Sequence, residues 1–287
     1  MATIPRCIPS NEFPQATKEV LALYGQLTRE QRRGLAVLHK EGVLVRLPQV
    51  PGAGSPRTTT LSPLDWGRFL EACKDYDPII TPAFRNYLLD TLNVTSDRVD
   101  GGLGDAIKVM FSSETQFTGF RGQIYSLRAL ADDPAYASYR FSLEVDDYTT
   151  NRRIDIQMLA DGKRIDVEVK AYEHWEFDSD TIWTNLLGPT GQFTRDLTGA
   201  IERSTSLDDL FDDLLYFFPD PAQYPNVDLD RVKDEFLLPF IQSGPTHELV
   251  PQMIKDAAAK KGYDLVALYE RLESRVNADM IRSYTTP

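Results

Sequence analysis

The stretch RRIDIQMLA-Asp161-Gly162-KRIDVEVKAY constrains this chain more than any other. Two runs that alternate apolar and polar residues flank an Asp-Gly pair, the strongest short-range signal for a two-residue β-hairpin turn. With that turn in place, residue 160 faces residue 163 and Asp155 falls opposite Glu168. The Cβ atoms of such a cross-strand pair lie about 4.5–5.5 Å apart on one face of the sheet. Lys170, two residues beyond Glu168, shares that face because side-chain direction repeats every second residue. The opposite face carries Ile154, Ile156 and Met158 against Val169, Val167 and Ile165, and is therefore a core face. A slip of one residue would exchange the two faces, so burial of the apolar set fixes the register.

Three ionisable groups thus converge on the polar face, and two kinds of chemistry are open to them. Arg153, Arg164 and Lys170 can pair with Asp155, Asp166 and Glu168 on a wet face, where ion pairs contribute little. Alternatively, two carboxylates held so close repel each other unless a proton or cation intervenes. A hard divalent ion such as Mg²⁺ suits oxygen ligands of this type and retains places for water and phosphate oxygens.

The rest of the chain sets bounds. Its 287 residues are enough for one large domain or two smaller ones, and 42% hydrophobic with 26% charged residues marks a globular protein and excludes a disordered one. No apolar run approaches the roughly 20 residues needed to cross a bilayer. Cys7 and Cys73 have neither CxxC nor His spacing, and three histidines are scattered, which argues against a disulfide framework or a structural zinc site. A net charge of -12 opposes a surface coated for nucleic acid, although a local basic patch can coexist with acid elsewhere. No P-loop or dinucleotide glycine motif is present.

Three regions are expected: a helical region 1–104, a central α/β region 105–204, and an acidic helical region 205–287. In the first, Thr28-Arg-Glu-Gln31 has the form of a capping box, and Ser62-Pro63 and Thr81-Pro82 place a cap residue before a proline at the first helical position. VPGAGSPRTTT (50–60) reads as an exposed loop, and VDGGLG (99–104) as a break. In the second, FRGQIYSLRALAD (120–132) is predicted helical, followed by the strand-like runs YRFSLEV, RRIDIQMLA and KRIDVEVKAY, and then by a helix over GQFTRDLTGAIER (191–203). In the third, SLDDLFDDLL (206–215) and VDLDRVKDEF (227–236) read as acidic amphipathic helix, either a solvated face or a docking surface for a basic partner.

The pattern of Asp155, twelve intervening residues, then Glu168-Val169-Lys170 resembles the PD-(D/E)xK nuclease superfamily, the restriction-endonuclease-like fold. In that superfamily an acid on one strand and an E-x-K on the next form the metal site of an αβββαβ core. The resemblance spans roughly residues 105–203. It implies an α/β (α+β) fold and a Mg²⁺- or Mn²⁺-dependent nuclease with Asp155, Glu168 and the Val169 main-chain carbonyl as ligands and Lys170 as the catalytic cation. The first-helix acid of the family has its matching place at Arg121-Gly122-Gln123, where glutamine stands instead; an amide oxygen can still ligate, and Glu114 is a possible substitute. On the following helix, Gln192 or Arg195 would reach the scissile phosphate. The style of IDVEVKAY followed by GQFTRDL is similar to the restriction-fold toxin domains of bacterial polymorphic toxin systems, whose partners include a cognate immunity protein.

The expectation is therefore a cytoplasmic or, as a toxin, cytoplasm-delivered nuclease with DNA favoured over RNA and no membrane partner. Two alternatives stay open. One is a non-catalytic acidic binding protein, an immunity-type inhibitor or adaptor, with a nuclease-like or generic α+β fold. The other is an enzyme of phosphate chemistry on a substrate other than nucleic acid. Glu173-His174-Trp175, just past the lysine, could add an acid or base to the site or simply pack.

Overall fold

A computed structural model describes residues 25–40, 44–46, 58–60, 82–110, 114–147, 152–171 and 180–286. The chain divides into two compact units, Met1–Leu143 and Glu144–Thr286. Among the described residues the class is α+β: a six-stranded mixed sheet whose strands stand in sequence order, a separate two-stranded sheet, and helices between the strands.

In the first unit, helix α1 (Arg29–Lys40) opens with the capping box expected at Thr28. The Gln31 backbone N–H donates to Thr28 Oγ1 at 3.1 Å, and the Thr28 N–H donates to Gln31 Oε1 at 3.1 Å, so two otherwise orphaned donors are satisfied reciprocally. Strands β1 (Leu44–Arg46) and β2 (Thr58–Thr60) pair antiparallel. Thr58–Thr60 therefore forms strand and not the exposed loop expected there; a threonine run has the β-branching that favours it. Helix α2 (Pro82–Thr95) begins on its proline, as expected. The helix expected at Ser62-Pro63 lies outside the described residues, as do both cysteines.

Strand β3 (Val99–Gly101) leads through Gly102 into helix α3 (Leu103–Met110). Gly102 has φ +81, and a Cβ there would sit 1.6 Å from the Leu143 carbonyl oxygen, so only glycine fits this bend. Helix α4 (Glu114–Asp132) starts earlier than its apolar spacing predicts, and Ile124, Leu127 and Leu130 are all fully buried. Phe84 of α2 packs edge-on against Phe117, Phe120 and Tyr125 of α4, with centroids 5.5, 6.3 and 5.9 Å apart.

Strand β4 (Arg140–Asp147) carries the chain into the second unit. There β5 (Arg152–Ala160) and β6 (Lys163–Val169) form the hairpin. Asp161 and Gly162 have φ of 48 and 78, the pair of left-handed residues that a type I′ turn requires. The ladder runs from Ala160 with Lys163 to Ile156 with Val167, which is the expected register. Ile154, Ile156, Met158 and Val167 are fully buried.

Helices α5 (Asp180–Leu187) and α6 (Gln192–Arg203) lead to β7 (Leu214–Pro219), which pairs parallel with β6. Helices α7 (Leu229–Ser243), α8 (Gln252–Lys261) and α9 (Leu265–Ala278) then lead to β8 (Ile281–Tyr284), parallel to β7. The region expected after 205 to be mostly helix thus also contains strands β7 and β8. SLDDLFDDLL is not a helix: its acids form turns, with Asp209 accepting from the Ser206 and Thr205 N–H groups, and its last two leucines begin β7. LLYFFP is buried along its whole length, as befits an interior parallel strand covered on both faces.

Ile156→Asp should abolish folding of the second unit, because a carboxylate would enter a face with no polar partner. Loss of the cooperative urea transition is the expected outcome; a soluble variant with the wild-type midpoint would mean that this face is not the core.

Candidate functional site

Strand β6 lies between β5 and β7, so both of its edges are paired. The polar face is not the wet face that one of the two readings called for: Asp166 is 0%, Glu168 1% and Lys170 3% exposed. Buried polar groups must be hydrogen-bonded and buried charges paired. Helix α6 supplies the partners. Phe193, Leu197, Ala200 and Ile201 anchor it in the apolar core, while Gln192, Asp196 and Arg203 fall on one stripe at helical spacing.

The two ends of this polar face are built differently. At the start of β6, Arg164 grips Asp166 through two bonds, Nε to Oδ1 at 2.7 Å and Nη2 to Oδ2 at 2.9 Å. Arg203 donates to Asp213 at 2.7 Å and reaches Asp166 at 3.2 Å and Asp147 at 3.7 Å; Arg164 also meets Asp147 at 3.4 Å. Planar guanidinium groups match carboxylates in pairs, and this cluster of three acids and two arginines is a mutual lock.

At the other end, beside the carboxyl-terminal end of β6, stand the residues singled out in the sequence. Glu168 Oε2 accepts from Lys170 Nζ at 3.1 Å and from Gln192 Nε2 at 2.6 Å. Asp155, on β5, accepts the Val169 backbone N–H on its Oδ2 at 2.7 Å. Asp155, Glu168, Lys170 and Gln192 are thus brought together, with Val169 between them. Their formal charges are two negative and one positive, where a lysine point charge replaces the two arginine forks of the other end. The outer edges of open α/β sheets at strand carboxyl ends are where such folds place ligands.

Other expected residues fall elsewhere. Gln123 is buried on α4 and belongs to the first unit. Glu114 opens α4, and its side chain lies outside the described residues, as do Glu173, His174 and Trp175. Arg195 is partly buried on α6, with its Nε shielded from solvent and lacking a hydrogen-bond partner. Arg153 pairs with Glu144 at 3.2 Å and Asp146 at 3.4 Å rather than with Asp155.

Two members of this neighbourhood escaped the sequence. Tyr216 of β7 lies level with Glu168 in the parallel ladder. Its hydroxyl donates to Asp196 Oδ2 at 2.7 Å, and both residues are fully buried. Lys170 Nζ sits 5.8 Å from the centroid of the Tyr216 ring. Asp196 could have been suspected, four residues after Gln192 on the same stripe; Tyr216 is hidden inside an apolar run.

Comparison with family models, with curated proteins and with solved structures gives no match to this chain. Among the described residues no helix is long and apolar enough to cross a membrane, and no three His, Cys, Asp or Glu residues group as a metal site.

Burial pushes the Asp213 carboxyl above the ordinary carboxylate range, outweighing the adjacent Arg203, and Asp166 pushes it in the same direction. The folded chain then binds that proton more tightly than the unfolded chain. Asp213 favours folding at low pH and loses this contribution as pH rises from about 4, the ordinary value, through its raised value. Asp213→Asn lacks that titration, so urea unfolding across this pH range should show the variant gaining on wild type as pH rises. A difference that is flat, or that moves the other way, would contradict the assignment.

Proposed function

We propose that this chain is a metal-dependent nuclease of the restriction-endonuclease-like type, hydrolysing phosphodiester bonds with DNA as the favoured substrate. The observation that supports it best is the buried Glu168 carboxylate, held by Lys170 and Gln192 beside Asp155 at the end of β6. The order helix α4, strands β4, β5 and β6, helix α6 and strand β7 agrees with the αβββαβ core that the motif implies. Antiparallel pairing of β5 with β6 sets Asp155 beside the E-x-K stretch, and the Gln192–Glu168 bond brings the following helix to it.

The donor set suits a hard divalent cation. Asp155 and Glu168 offer carboxylate oxygens, and the Val169 carbonyl is a third oxygen of the same stretch; these would hold Mg²⁺ or Mn²⁺. When bound, such an ion neutralises phosphate charge and makes water a better nucleophile. The remaining work falls to the protein. Gln192 fixes the rotamer of Glu168 through a 2.6 Å bond, and the Val169 N–H fixes that of Asp155. Lys170, confined in the same pocket of charge, stabilises the negative charge that develops as water oxygen bonds to phosphorus and the ester P–O bond breaks. The leaving oxygen departs as an alcohol, and a phosphate monoester remains.

Because Glu168 is buried against Lys170, Glu168→Ala would leave a cavity and a buried ammonium with neither counter-charge nor acceptor at that position, and would strain the fold. Glu168→Gln keeps the volume and a hydrogen-bond acceptor, and is the better probe. Plasmid, single-stranded DNA and total RNA, incubated with Mg²⁺, Mn²⁺ or EDTA, should show metal-dependent cleavage reduced about hundredfold or more in the variant, the scale on which one preorganised electrostatic group acts. Cleavage that survives Glu168→Gln would displace the site. No cleavage under any condition would favour the acidic binding protein instead.

A further inference from the structure

The Glu168–Lys170 pair has a support that the proposed chemistry does not by itself require. Tyr216 lies beside Glu168 in the ladder and presents its ring to Lys170, with Nζ 5.8 Å from the centroid, inside the roughly 6 Å over which a cation is attracted to an aromatic face. The ring cannot readily turn. Phe193 of α6 meets it edge-on at 4.9 Å, and Phe236 of α7 does so at 5.1 Å. Phe193 and Phe236 stack on each other at 4.2 Å, which closes the aromatic cluster. Its hydroxyl is tied at 2.7 Å to Asp196, a carboxylate with no exposure to water.

A buried aspartate is expensive unless it serves a partner, and Asp196 accepts from the phenol. A carboxylate accepting from the phenolic hydroxyl also draws electron density toward the ring and so strengthens its attraction for a cation. The side chains then alternate in sign from α6 across β7 to β6: Asp196 carboxylate, Tyr216, Lys170 ammonium, Glu168 carboxylate. Asp196 and Gln192 are four residues apart on α6, so one helix stripe holds both ends of the chain.

We propose that Tyr216, anchored by Asp196, is the positioning residue that sets where the Lys170 amine sits above Glu168. It touches no substrate; it acts through the lysine. Its kinetic consequence rests on the nuclease function proposed above, whereas its structural consequence does not.

Both are measurable on the full chain. Carbon-13-labelled lysine gives an ε-methylene signal for Lys170, identified by its loss in Lys170→Arg, and the Tyr216 ring should displace that signal upfield. Tyr216→Leu should return it to the unshifted position. Tyr216→Phe, which keeps the ring and volume but drops the bond to Asp196, should move it part-way. In cleavage assays Tyr216→Leu should lower kcat about ten- to hundredfold, the usual cost of losing the support of a functional group, with KM near wild type. In a Lys170→Met background the same change should have no further effect, because a residue acting through the lysine has nothing left to position. A Lys170 signal unmoved by either Tyr216 variant would overturn the proposal, as would a kcat loss that persists in full without the lysine. If Tyr216→Leu does not fold, Tyr216→Phe decides on the same readouts. If the wild-type chain cleaves no nucleic acid, nuclease activity is excluded, and the lysine signal still tests the positioning.

Discussion

The second unit is organised around a single demand: an interior strand, β6, and the residue that follows it carry Asp166, Glu168 and Lys170, all buried. Leaving any of these charges unpaired would cost several kcal/mol, a large fraction of the stability of a typical domain. Everything laid over these residues answers this demand. Helix α6 must present polar groups at helical intervals and still bury Phe193, Leu197 and Ile201, which explains its strong separation of apolar and polar stripes. β7 must be apolar enough to lie under several helices, yet it interrupts that run with one phenol placed beside Glu168.

The contrast between the two ends of the face carries the functional interpretation. Around Asp166 two arginines use their forked donors to satisfy acids from three strands or strand ends, and such an arrangement holds a fold together. Around Glu168 the partners include a lysine and a carboxamide, groups that fix the orientation of the carboxylate.

Much of this was legible from local rules. The Asp-Gly turn, the register and the core face of the hairpin follow from period-two patterning and from the backbone that a two-residue turn demands, and the observed ladder agrees residue by residue. The capping box at Thr28 was equally readable, because both partners are three residues apart. Register alone brings Asp155, Glu168 and Lys170 together, whereas adding Gln192 needed the resemblance to place α6 over the hairpin. What stayed hidden is non-local. LLYFFP has no alternation, so periodicity cannot separate an interior strand from a buried helical turn. Asp212 and Asp213 read as surface acid because Arg271, Arg275 and Arg203, their partners, lie at a distance along the chain. The burial of Glu168 likewise depends on β7, which the sequence did not reveal.

The central claim is that Asp155 and Glu168 form one cation site. Titration of the chain with Mn²⁺, followed by electron paramagnetic resonance of the free ion, tests it without requiring any knowledge of the substrate. The account predicts that wild-type protein takes up Mn²⁺ and that Asp155→Asn, which leaves the Glu168–Lys170 pair in place, abolishes this uptake. Equal uptake by both proteins would place the ion elsewhere, and no uptake by wild type would contradict the metal site itself.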